Sequence, residues 1–280
     1  MTLPEITEGL ARFVTEHPDN SIQASYALEP NLVGIPYYEA PLLGCAAADD
    51  PLFLQFQTDP VILGPMFQLP EQWLPGAKSV ISFFLPFTKE IRISNRDNLG
   101  EPSGAWLHGR AEGQSFLMKV CEQLAQWLEE EGYAAVIPAG HPDFRTSRDP
   151  DRLALGQPLF TSNWSERHVA FAAGLGTFSL TKHLITEKGV CGRFGSVITT
   201  APIIPTPRPY SEPYEYCTFC GACTHRCPVN AIDVNTGKDM MTCAVFMDKN
   251  KATYAPRHGC GKCQLELPCT TRNPRKPRKP

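Results

Sequence analysis

Apolar residues recur at helical spacing early in the chain. Ile6, Leu10, Phe13 and Val14 share one face of residues 5–16, which predicts an amphipathic helix there. The pattern is clearer in GQSFLMKVCEQLAQWLEEEG, residues 113–132. There Phe116, Leu117, Val120, Cys121, Leu124, Trp127 and Leu128 form one stripe, and Gly132 is placed as a C′ stop. Between these helices AKSVISFFLPF, residues 77–87, is a continuous apolar run of strand length. YAAVIPAG, 133–140, reads as another strand, so the order strand, helix, strand predicts a layered α/β architecture. GRFGSVITTAP, from Gly192, reads as a turn into a β-branched strand. Residues 88–112 and 139–160 are polar, turn-rich and without period, and are expected as long loops, either lids or plain surface excursions.

A second helix-start signal lies at Asn163, three residues before Glu166. It predicts a capped helix over 164–173 that Gly174 and Gly176 terminate. The prolines of APIIPTPRPYSEPYEY, 201–216, forbid continuous helix or ladder pairing and predict an extended linker. A boundary near 210 divides the chain into residues 1–210 and 211–280.

Composition changes this picture little. With 280 residues, 42% of them hydrophobic and 20% charged, and a net charge of −3, the chain has material for a full core and no dominant field for nucleic acid. No run approaches the roughly 18 apolar residues of a membrane span. The acidic N-terminus has no basic, then apolar, start of the secretory kind, so the expected location is the cytoplasm, with thiols reduced or bound to metal.

The cysteines carry the chemistry. Cys45, Cys121 and Cys191 are scattered, and Cys121 belongs to an apolar helical face; these are read as buried bystanders. The other eight fall between 217 and 269. CTFCGACTHRCP places Cys217, Cys220 and Cys223 at every third residue, so one loop can wrap three corners of a cubane. The spacing to Cys227 and the following Pro228 complete a bacterial ferredoxin run, whose fourth cysteine serves a second cluster where there are two. Pro228 is placed to start a helix at PVNAI that carries Cys227 away from the loop. Cys243, Cys260, Cys263 and Cys269 remain. Four plus four fits two [4Fe–4S] clusters, with Cys217, Cys220, Cys223 and Cys269 on one and Cys227, Cys243, Cys260 and Cys263 on the other. The irregular second half also admits one cluster beside a zinc site or free thiols.

The isolated Cys243 followed by Gly259, Cys260, Cys263 and Gln264 resembles the cluster region of the epoxyqueuosine reductases, cobalamin-dependent iron–sulfur enzymes related in architecture to reductive dehalogenases. Upstream, Glu166 and Arg167, the Ala173–Gly176 segment, Leu184 with Ile185, and Gly195 with Ser196 match the same family. The resemblance covers about 100 residues and implies an α+β chain: a nitroreductase-like α/β first domain holding a corrinoid, then a ferredoxin-like domain with two clusters. It assigns Glu166, Arg167, Gly174, Gly176, Gly195 and Ser196 to the cofactor. Flavin also suits such folds, so the fold alone does not choose between them. The family's aspartate six positions before the Glu-Arg pair is replaced by Phe160, which leaves Asp143 and His168 as candidate acids and Tyr37 and Tyr38 with less support. The implied activity is an oxidoreductase relaying electrons from a ferredoxin- or flavodoxin-type donor to a small molecule or modified nucleoside, with tRNA as one possible carrier; the alternative is an electron carrier or activator without its own substrate. The tail TTRNPRKPRKP, basic and proline-rich, is expected to be disordered, either solubilising or touching phosphate.

Overall fold

Residues 79–86 are apolar at nearly every position because both of their faces are covered. The computed structural model describes residues 1–277, and in it this stretch is the central strand of a four-stranded sheet, buried throughout. The strands are β1 (Leu42–Ala47), β2 (Ser79–Pro86), β3 (Ala135–Val136) and β4 (Gly192–Thr199), in the order β1-β2-β4-β3. Every pairing is antiparallel, with Ile81 opposite Cys45 on one side and Val197 on the other. Side chains alternate across the pleat. Ile81, Phe83, Leu85 and Val197 face helices α1 (Leu3–Glu16) and α3 (Gly104–Glu130). Val80, Ala46 and Ile198 face α2 (Pro51–Thr58) and α4 (Glu166–Ala172). The result is a mixed helix and strand fold with helices on both faces of one sheet.

The expected helices form, with boundaries moved by local hydrogen bonds. Helix α3 begins at Gly104, not 113, because the Ser103 hydroxyl accepts from Trp106 N at 3.2 Å and the added turns bury Trp106, Leu107 and His108. Gly132 adopts φ +87 just beyond its end, as a C′ stop requires. The stretch 88–112, expected as a loop, therefore holds a short helix, Lys89–Ser94, and the start of α3. The stretch 139–160 contributes strand Thr146–Arg148, which pairs with Phe160–Ser162. Helix α4 starts at Glu166 behind Ser165. Asn163 does not cap it; its Oδ1 accepts from Arg145 N at 2.8 Å and its Nδ2 donates to Asp143 O at 2.8 Å.

No helix follows Pro228. Residues 228–231 turn, with Asn230 at φ +52, into a hairpin of Ile232–Asp233 and Gly237–Lys238. Helix α5 (Met240–Tyr254) comes next, capped by Asp239, which accepts from Met241 N and Thr242 N.

The linker is extended, as its prolines require, and it is bound along its length. Thr206 exchanges hydrogen bonds with Cys45 at the edge of β1 (2.8 and 3.0 Å), and Tyr210 Oη donates to Phe171 O at 2.8 Å. One apolar cluster joins Val169 and Phe171 to Tyr210, Tyr216, Cys217, Cys223 and Ile232, so packing continues across position 210. The tail departs from expectation. Cys191 N donates to Thr270 O, Arg275 donates to Cys217 O at 3.0 Å, Lys276 pairs with Glu187 at 2.9 Å, and Asn273 is buried. Its chain is ordered by these partners despite its composition. Residues 278–280 of the expected disordered tail lie outside the described residues. Among the described residues no helix is long and apolar enough to cross a membrane.

Candidate functional site

The eight late cysteines gather around two cavities. Cys217, Cys220, Cys223 and Cys269 wall the first; Cys227, Cys243, Cys260 and Cys263 wall the second. In the compact run, left-handed backbone at Phe219 (φ +51) and Gly221 (φ +74) coils the loop so that Cys217, Cys220 and Cys223 all reach one cavity. Cys269 comes from a distant segment, held by Val190 N donating to its carbonyl at 2.9 Å. Gly189 makes that approach possible, since a Cβ there would lie 2.4 Å from Thr270 O.

The second cavity is assembled from three places. Cys227 is the last cysteine of the run, and its Sγ accepts from Ala231 N at 3.2 Å. Cys243 rides on the first turn of α5. Cys260 and Cys263 sit on a glycine turn packed onto α3. Gly261, at φ +68, is so close to Trp106 that a Cβ would stand 1.8 Å from its ring. Asn250 Oδ1 accepts from Gly259 N at 2.8 Å and Asn95 Nδ2 donates to Cys260 O at 2.9 Å, fixing this turn from both sides.

Burial pushes Cys223 and Cys260 up to about 11 and Cys269 to about 12, so a metal that binds them must displace protons. Apart from its cysteines the first cavity has an apolar wall broken by hydroxyls: Leu180, Ile185, Phe219 and Leu267 with Ser179 and Thr181. Four soft sulfurs around one such cavity are a donor set suited to an iron–sulfur cubane.

The second cavity opens onto Trp106, Arg110, His183 and Lys238, which cysteine spacing alone did not reveal. Arg110 is pulled down to about 9, first by neighbouring Arg193 and then by burial. Arg193 donates to Gln114, one turn beyond Arg110 on α3. Arg167 donates to Lys182 O at 2.6 Å. His183, 2.9 Å from Thr181 Oγ1, is held neutral by burial and then by Lys238, Arg167, Arg110 and Arg193. Among the described residues none of Arg110, Arg167, Arg193 and Lys238 is in an ion pair. With Arg110 and Lys238 in its wall, the pocket is cationic and suited to an anion or a polarised oxygen.

Glu166 stands at the first turn of α4 with both carboxylate oxygens buried and without a hydrogen-bond partner. Burial raises its pKa to about 7, offset in part by the nearby Ser196 hydroxyl. Ser196 itself is fixed, accepting from Trp164 Nε1 at 2.9 Å. The glycines assigned to a cofactor are filled by the chain. A Cβ on Gly176 would lie 1.9 Å from Ile185 O, one on Gly195 2.5 Å from Phe83, and one on Gly174 3.1 Å from Pro207 O.

Asp143 is exposed, beside His141 and Arg145. His168 contacts Ser165 Oγ at 2.8 Å and the rings of Phe56 and Phe178. Burial lowers it to about 3, so it is neutral at physiological pH. Tyr37 and Tyr38 are buried and raised far above the usual phenol range, chiefly by burial.

The 4Fe-4S binding domain family matches residues 213–233, which contain the compact run. The chain is similar to the epoxyqueuosine reductase of Bacillus cereus (26% identity over 210 residues, 71% of this chain and 50% of the relative) and to that of Vibrio cholerae (28% over 217 residues, 73% and 53%). It spans about half the length of these curated relatives. Among solved structures, a variant of a catabolic reductive dehalogenase superposes with a TM-score of 0.51 at 13% identity, over 96% of this chain and 36% of that one, which shows a shared fold. The epoxyqueuosine reductase of Streptococcus thermophilus is also similar, with a TM-score of 0.48 and 18% identity over 84% and 64%.

Proposed function

We propose that the chain is an iron–sulfur oxidoreductase of epoxyqueuosine reductase type, in which two [4Fe–4S] clusters deliver low-potential electrons to the cationic pocket beside the second. The observation that carries this reading is the sorting of eight cysteines into two cavities, four to each, the second of which opens onto Arg110 and His183. Cys220 is exposed, so the first cluster would meet a ferredoxin- or flavodoxin-type donor at the surface.

Glu166 is the acid in this reading. A carboxyl raised to about 7 is half protonated near neutrality and can give its proton to a leaving oxygen as a bond is reduced. Arg110, Arg193 and neutral His183 would orient the substrate and stabilise developing negative charge. Residues on both sides of 210 contribute to each cavity, so pocket and clusters belong to one continuous packing unit. A pure electron carrier has no use for an orphaned buried acid or an unpaired cationic pocket.

The corrinoid is kept out of these steps, because the glycines assigned to it are filled by the chain's own atoms. Hydroxocobalamin mixed with reduced protein tests it directly: reduction of its absorption spectrum identifies the cofactor, and an unchanged spectrum leaves the second cluster to reduce the substrate itself. Iron and sulfide counts on anaerobically prepared protein test the clusters. About eight of each per chain is expected from two cubanes, and about four would sink the two-cluster reading. The substrate proposed is a modified nucleoside with a strained carbon–oxygen bond, carried on tRNA; its accumulation in tRNA of a deletion strain checks this.

A further inference from the structure

Lys262 is 1% exposed, lies between Cys260 and Cys263 in the chain, and has no carboxylate partner among the described residues. Its Nζ donates to Asn95 O and Asn95 Oδ1, both at 2.8 Å, and Asn95 in turn donates to Cys260 O at 2.9 Å. Two of the three ammonium donors are therefore taken by neutral oxygens of one residue, and the neighbouring Asp97 forms no ion pair with the third among the described residues. A buried ammonium without a counter-charge is costly, and proteins tolerate one where something nearby carries the opposite sign.

We infer that Lys262 is the buried counter-charge of the second cluster and holds its reduction potential up. This rests on the two-cluster reading above. Four cysteine thiolates around a cubane make an anion, and each electron accepted adds one more negative charge to it. A fixed cation two hydrogen bonds from a ligand's carbonyl favours the reduced form more than the oxidised one, and net charge and hydrogen bonding are among the levers that set such potentials. With both clusters bound, Lys262 would favour the passage of a single electron from the reduced first cluster to the oxidised second, supplied by a low-potential one-electron donor, with no proton or bond changing place. Arg110 and Lys238 line the second cavity itself, Lys238 donating to Thr181 O at 3.4 Å, whereas Lys262 is buried outside that lining, on the ligand turn between Cys260 and Cys263. In the first cavity no charged side chain forms part of the wall, and Arg275 reaches the Cys217 carbonyl from outside.

The test is an EPR-monitored redox titration of the full chain with iron counted in parallel. Lys262→Met should shift one cluster's midpoint negative by about 59 mV or more, a tenfold change in a one-electron equilibrium, and leave the other midpoint in place. Lys262→Arg should keep the original value. Asn95→Asp, which gives Lys262 a carboxylate partner without changing volume, should shift the same midpoint the same way. The inference falls if Lys262→Met keeps its iron and neither midpoint moves, or if both midpoints move together. It also falls if both Lys262→Met and Asn95→Asp lose the iron of one cluster, since the role is then structural. About four irons in the unaltered protein would remove the two-cluster reading itself, an outcome distinguishable from all of these.

Discussion

Glu166 is unusual at the scale of a single residue because, among the described residues, both of its buried carboxylate oxygens lack a hydrogen-bond partner. Its folded pKa of about 7 lies above the ordinary 4.5, so the folded state holds this proton more tightly than the unfolded one. The resulting stability is complete below about pH 4.5 and is lost as pH rises through about 7; it amounts to about 2–3 kcal/mol. Glu166→Gln should therefore melt above the parent protein at pH 8 and close to it at pH 4.5. The same variant should keep its iron and lose about 100-fold or more in reductive turnover, the usual scale of a removed general acid. His168→Gln should change the pH profile of turnover little, because its imidazole is already neutral. The sequence shows Glu166 and Arg167 as a pair but not which of the two is buried. That difference comes from the first turn of α4 lying beside Ser196, a residue 30 positions further along the chain whose hydroxyl Trp164 fixes.

At the scale of elements, strongly periodic segments were legible and their ends were not. The stripe of α3 and the apolar run of β2 appear where the pattern places them. The extra turns of α3 depend on Ser103 and on burial of Trp106, neither of which changes the periodicity of 113–132. Asn163 has the form of a cap, but its amide is taken by Arg145 and Asp143, a competition visible only in three dimensions. Cysteine spacing was the most informative local signal, whereas Arg110 and Arg193 were hidden among ordinary polar positions. Two glycines separate the clusters experimentally. Gly261→Ala strains a left-handed position and collides with Trp106, and should remove only the second cluster. Gly189→Ala meets Thr270 O and should remove only the first, by displacing Cys269. In each case iron should fall to about half, with one of two EPR signals lost.

The whole molecule packs as one unit. Tyr210, Tyr216, Cys217 and Cys223 share an apolar cluster with α4, and the tail returns to strand-edge residues near 190. Prolines and cysteines predict a boundary near 210, but composition could not show that the linker's Thr206 exchanges hydrogen bonds with Cys45 of β1. A fragment of residues 211–280 expressed alone should therefore bind iron poorly and show little of the visible cluster absorption, since part of the wall of each cavity belongs to residues 106–185.

The position of Cys269 has a consequence for biosynthesis. On the proposed ligand sets, the first cavity draws its fourth sulfur from beyond all four ligands of the second, so the two loops are nested in the chain. A ribosome releases Cys217, Cys220 and Cys223 some fifty residues before their partner. Complete insertion of the first cluster must therefore wait until translation has passed Cys269, and a message truncated anywhere upstream yields a protein unable to assemble it.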